Sequence, residues 1–158
     1  MTDELRPPAL DPDSVARRAG SSYPAPFDRP CTTRERRALG DALGLGHFGV
    51  NLLTLPPGAW SAQRHWHENE DEFVYVLEGE VVLITDAGEQ RLTPGMAAGF
   101  PAGHRDGHHL VNRSARPAIV LEVGTRAARD RVEYPDIDLT FEASGGTDRF
   151  LHKDGQPY

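Results

Sequence analysis

Cysteine is almost missing from this chain. Cys31 stands alone in 158 residues, which excludes an internal disulfide and suits a reducing compartment. Long apolar runs are missing as well. No stretch approaches the roughly 18 residues of a membrane-crossing helix, and residues 1–10 lack the apolar centre of a signal peptide. The expectation is a cytoplasmic protein with no membrane partner. Positive charge is in short supply. The net charge is −7 and the pI about 5.4, so no basic surface invites nucleic acid. There is no internal repeat or low-complexity segment. No Ser-His-Asp order, Walker loop or dinucleotide fingerprint is present either, so the function classes they mark are set aside.

Turn residues, by contrast, are abundant. Thirteen prolines and sixteen glycines punctuate a length that suits one domain with a real core. Between them lie short β-branched and aromatic runs, which read as strands. The expected strands are 48–55, 62–67, 72–77, 80–85 with 89–92 as a hairpin around Asp86-Ala87-Gly88, 96–100, 108–111 and 118–123. Many short strands at close spacing predict an all-β sandwich or barrel rather than βαβ units. Residues 1–30, broken by Pro7-Pro8 and Pro24-Ala25-Pro26, read as an arm. Residues 32–43 admit two readings: a short helix opened by a Thr32-x-x-Glu35 capping box, or an edge strand. Residues 125–130 are expected as a helical turn. Residues 126–158 form a tail with no clear period, packed on the barrel or on a partner subunit.

One stretch carries chemistry. His65 and His67 are two residues apart, so an extended strand points them to one face. Glu72 follows after a polar connection and opens the next strand. Two imidazoles and a carboxylate then converge as a divalent metal requires.

Gly58, His65, His67, Glu72 and Gly79, followed by Gly95, Pro101, Gly103, His108 and Asn112, resemble the paired signatures of the cupin superfamily. The likeness covers about residues 48–124. It implies a double-stranded β-helix, or jelly-roll, barrel over residues 31–125, with irregular N- and C-terminal arms. It also implies one divalent metal ion (Fe, Mn, Ni or Zn) held by His65, His67, Glu72 and His108. Four residues rather than two separate Gly103 from His108, so His104 and His109 stand as alternatives for the fourth ligand. Small cupins of this kind pair sheet to sheet, which implies a homodimer.

Strand parity extends the picture. Gln63 shares the inward face with His65 and His67, while Arg64 and Trp66 point out. Val74 and Val76 share the face of Glu72, while Phe73, Tyr75 and Leu77 point out. Leu110 follows His108 inward, and His109 points away. Ile119, Leu121 and Val123 are expected inside, opposite Glu122. The resulting lining is apolar, with Gln63 as the extra polar group and no arginine facing the metal. Arg64 and Arg105 are expected in solvent. Glu72 and Gln63 are the candidate catalytic residues.

This reading favours a metal-dependent enzyme acting on a small, mainly apolar, oxygen-bearing molecule. Oxygenation by a dioxygenase-type reaction is the first expectation, and isomerisation or hydrolysis the second. The rival is a non-enzymatic binding or sensing module with a structural metal.

Overall fold

A computed structural model describes residues 5–158; the first four positions of the expected arm lie outside them. The strands are β1 (Arg18–Ala19), β2 (Glu35–Ala38), β3 (Phe48–Leu55), β4 (Trp66–His67), β5 (Glu72–Glu78), β6 (Val81–Thr85), β7 (Gly88–Leu92), β8 (Ala97–Phe100), β9 (His109–Val111), β10 (Ala118–Thr125), β11 (Arg129–Tyr134), β12 (Leu139–Ser144) and β13 (Thr147–Leu151). They form a six-stranded sheet in the order β1-β2-β3-β10-β5-β8, a four-stranded sheet β13-β12-β11-β4 and a three-stranded sheet β7-β6-β9. All pairings are antiparallel. This is the expected all-β barrel. Among the described residues no helix is long and apolar enough to cross a membrane.

The main core lies between the six- and three-stranded sheets. Leu53, Leu55, Val76 and Val120 are fully buried there, with Val74, Val81, Leu83 and Leu110 around them. Burying a leucine such as Leu53 stabilises the fold by about 2 kcal/mol. Gly79 closes β5 at φ 72°, where a Cβ would lie 2.6 Å from the Pro117 carbonyl oxygen. The turn therefore requires glycine. Asn112 is fully buried. Its amide donates to the carbonyls of Leu55 and Arg116 at 2.7 Å, and its oxygen accepts from Ser114. The asparagine that ends the second signature is thus a structural knot between loops.

Several expectations need correction. Residues 32–43 match neither alternative in full. β2 carries 35–38 but lies between β1 and β3. The helical turn that follows, α1 (Leu39–Ala42), has no side-chain cap, since the Thr32 hydroxyl donates to the Arg29 carbonyl instead. Residues 126–158 are not irregular. They supply β11, β12 and β13, a three-stranded meander whose β11 pairs with β4, the strand that carries His67. The expected turn over 125–130 is instead the end of β10 and the start of β11. Tail and arm build a second core together, with Val132, Tyr134 and Leu139 packed against Tyr23, Phe27 and Phe150. Charge-rich sequence in β11 hid this sheet, because only alternate residues are buried in it.

Candidate metal centre and cavity

The six-stranded sheet arranges its inward residues as a grid. On β5 they are Glu72, Val74 and Val76. Opposite them on β10 stand Gly124, Glu122 and Val120. Beyond these on β3 lie Gly49, Asn51 and Leu53. The grid is apolar at the closed end and polar at the open end. Gly49 and Gly124 face each other at the mouth. A Cβ on Gly124 would lie 3.9 Å from Glu72 Cγ, so the paired glycines leave the carboxylate room.

His65 and His108 exchange backbone hydrogen bonds at 3.1 and 2.9 Å, which sets the two rings side by side with centroids 4.8 Å apart. His67 comes from β4, and Glu72 begins β5. The Nε2 atoms of His65, His67 and His108 lie 3.3, 3.5 and 2.7 Å from a single carboxylate oxygen, Glu72 Oε2. Ligand atoms of His65, His67 and Glu72 lie within 4.8 Å of one another.

The far sides of the rings differ. His65 Nδ1 donates to the Gln63 carbonyl at 2.8 Å, and His67 Nδ1 donates to the Asp130 carboxylate at 2.6 Å. Both bonds aim an Nε2 atom toward the centre. His108 Nδ1 is buried without a partner; its ring is held by stacking on Phe100 at 3.5 Å. Burial works against the charge on Glu72, but His65, His108 and His67 outweigh it and hold its carboxyl well below the usual range. Burial also opposes charge on His67, yet Asp130 and Glu72 raise it to about 10. Burial lowers His108. An anionic carboxylate ringed by imidazole nitrogens fits a divalent cation. His65, His67, Glu72 and His108 are the residues that would hold it.

Neither alternative for the fourth ligand pairs with the Glu72 carboxylate, although His109 borders the cavity in front of it. His104 is exposed on its loop. His109 is buried rather than outward in solvent, with Nδ1 on the Ala62 carbonyl and its ring edge-on to Trp60. A second trio, His67, Glu70 and Asp130, also gathers three donors. It uses His67 Nδ1, which Asp130 already engages, so it forms the outer layer of the same centre.

Asp130 was invisible to sequence reading because it lies 63 residues from His67. Its second oxygen accepts from the Asn69 amide at 2.9 Å, so it is fixed at both ends. Asp130→Asn is expected to lower metal affinity by about 10- to 100-fold, the cost of losing such an outer partner. Competition with a chromogenic chelator checks this, with the melting temperature as a folding control.

The cavity in front of the cluster has a volume of about 270 Å³ and is not the apolar barrel expected. Arg36, Asn51, Ser61, Glu70 and Glu122 line it, together with Val74, Phe100 and Leu110. On β10 the inward residues are Ala118, Val120 and Glu122, while Ile119 and Leu121 are half-buried on the other face and Val123 borders the cavity near its open end. The interior face is thus the opposite of the one expected for Ile119 and Leu121, because a charge goes inside where a partner meets it. Here Arg36 grips Glu122 with two bonds, 2.7 and 3.0 Å, which makes an inward carboxylate tolerable.

Gln63 is also corrected. Residues 61–64 are irregular, so parity does not govern them. The Gln63 amide donates to the Phe27 carbonyl at 2.7 Å. It anchors the N-terminal arm and does not line this cavity. Arg64 is not free in solvent: it clasps Asp136 at 2.8 Å and also meets Asp86. Arg105 lies over the Trp66 ring at 5.7 Å. A lone glutamate in an apolar strand and the alternation Arg34-Glu35-Arg36 were the signals that could have revealed the polar wall.

Comparison with known proteins agrees with this architecture. A cupin domain model matches residues 51–124. The crystal structure of a sugar phosphate isomerase of the cupin superfamily, from Silicibacter pomeroyi, is 46% identical, with 96% of each chain covered and a TM-score of 0.92. A candidate sugar phosphate isomerase from Acidithiobacillus ferrooxidans is 31% identical over 80% of each chain, with a TM-score of 0.73. The tetracenomycin polyketide synthase protein TcmJ of Streptomyces glaucescens is 30% identical over 95 residues, 60% of this chain. The match spans only 58% of that protein's length. With its barrel, its signature residues and a relative alike from end to end, this chain belongs to the cupin superfamily.

Proposed function

We propose that the protein is a metal-dependent isomerase acting on a small hydroxycarbonyl compound of the sugar class. The observation that carries this reading is the Glu122 carboxylate, which faces the same cavity as the His65–His67–Glu72 group. The names of the two similar crystal structures support the same class. When bound, a divalent cation supplies Lewis-acid polarisation of a carbonyl. The rest falls to the chain itself. Glu122 stands opposite Val74 and diagonal to Glu72, about 7–8 Å away along the sheet. It takes a proton from the carbon beside the carbonyl and returns it to the adjacent carbon. The proton of the hydroxyl on the deprotonated carbon moves the same way, to the former carbonyl oxygen, so oxidation of one carbon matches reduction of its neighbour. Arg36 fixes the orientation of Glu122, and Asn51 and Ser61 offer hydrogen bonds to hydroxyl groups.

The test is turnover of aldose–ketose pairs in deuterated water under anaerobic conditions. Deuterium entering at the carbon next to the carbonyl, and lost after chelation, is the expected result. Oxygen uptake that requires a redox-active metal, with no deuterium exchange, would overturn it. That outcome would restore the oxygenase reading, which the apolar side of the cavity at Val74, Phe100 and Leu110 favours.

The working unit in this proposal is a homodimer. Phe73, Tyr75 and Leu77 are 42%, 37% and 42% exposed on the outer face of β5, with Met96 beside them at 47%. Among the described residues neither arm covers them, since both pack around Tyr134 instead. A contiguous apolar face of this kind marks an association surface. Light scattering should give twice the 17.4 kDa of one chain, and Tyr75→Glu should return the mass of a monomer.

A further inference from the structure

Arg34 has lost most of its water without gaining a counter-ion. It is 6% exposed. Its guanidinium donates to the carbonyls of Gly20, at 3.0 Å, and Ser61. Among the described residues it joins no ion pair; the nearby Glu122 is engaged by Arg36. A buried cation with only neutral partners is costly. In a chain of net charge −7, such a cation marks a place where negative charge is wanted.

The surroundings fit that reading. A cavity of about 210 Å³ is lined by Arg34 and Arg36 and by Ser21, Tyr23 and Tyr134, and no carboxylate borders it. Ser21 Oγ is buried and has no hydrogen-bond partner. His65 and His67 form part of the same wall, so a molecule seated here reaches the metal-binding side chains. The N-terminal arm gives Ser21 and Tyr23, β2 and the residue before it give the arginines, and β11 gives Tyr134. Three parts of the chain thus converge on one electropositive chamber.

We propose that this cavity binds the phosphoryl group of a small phosphorylated substrate, with Arg34, Arg36 and the Ser21 hydroxyl as donors. Two guanidinium groups and a hydroxyl suit the three terminal oxygens of a phosphoryl dianion better than the two of a carboxylate. The inference rests on the reading of the His65–His67–Glu72 group as the reacting centre, and it gives the hydroxycarbonyl substrate its charged end.

The test is titration of the full chain with inorganic phosphate by calorimetry, in metal-loaded and chelator-treated protein. Saturable binding is expected in both. Ser21→Ala should weaken it roughly tenfold, as expected for one hydrogen bond to a charged group. Its melting temperature should not change, because that hydroxyl bonds nothing in the free protein. Arg34→Met should weaken binding at least as much, and Arg105→Ala, on the surface, should leave it intact. Absence of saturable binding would overturn the proposal. So would binding abolished by chelation, which would place phosphate on the metal. Equal affinity in Ser21→Ala and wild type, or acetate bound as tightly as phosphate, would do the same. Intact phosphate binding without deuterium exchange would instead remove the isomerase reading and leave the subsite standing.

Discussion

Replacing His67 by alanine is expected to strip the protein of most of its bound metal. The substitution removes one of three nitrogens around Glu72 Oε2 and leaves Asp130, with a side chain 3% exposed, without its imidazole partner. An uncompensated carboxylate in that position repels no cation, but it no longer orients a ligand toward the centre. Loss of a direct ligand exceeds the ~10- to 100-fold cost of losing an outer partner, so the effect should surpass that of Asp130→Asn. Elemental analysis of purified variants is the measurement. His108→Ala should follow His67→Ala. His104→Ala should keep full metal content, because His104 lies exposed on its loop. Wild-type content in His67→Ala would sink the metal centre. A greater loss in His104→Ala than in His108→Ala would reassign the fourth ligand.

Glu122→Gln should have the largest effect on turnover. A positioned general base contributes typically about 10²- to 10⁴-fold, and glutamine keeps the shape while giving up the proton-accepting oxygen. Metal content should stay at the wild-type level, because Glu122 is not among the residues gathered around Glu72 Oε2. Arg36→Met should also slow turnover, but through loss of the two bonds that orient Glu122. Arg36 is thus a positioning residue in this scheme, although it also borders the phosphoryl chamber. The two roles separate in the kinetics: loss of orientation lowers kcat, and loss of a phosphate contact raises KM. Full activity in Glu122→Gln with metal retained would remove Glu122 as the base.

The sequence by itself determined the all-β strand pattern and the convergence of His65, His67 and Glu72. His108 came only from the likeness to the cupin signatures, with His104 and His109 as alternatives. The strand pattern and the convergence follow from local rules. Side chains alternate along a strand, β-branched runs end at glycine and proline, and a two-residue spacing puts two rings on one face. The same rules placed Phe73, Tyr75 and Leu77 outward, where they stand exposed. Tertiary structure decided the character of the cavity. Parity fixes which residues of β10 share a face, but not which face is inside. The lone charge of Glu122 argued for water until a guanidinium 86 residues away in sequence neutralised it. Gln63 lies where the chain leaves regular extended geometry, so alternation failed there, and its amide went to the arm. Asp130, Arg34 and Ser21 gained their surroundings only because the arm and the C-terminal sheet close over the back of the histidines. The physical reason is common to all of them. A polar side chain goes inside when a partner satisfies it, and these partners came from distant segments that no local pattern could pair.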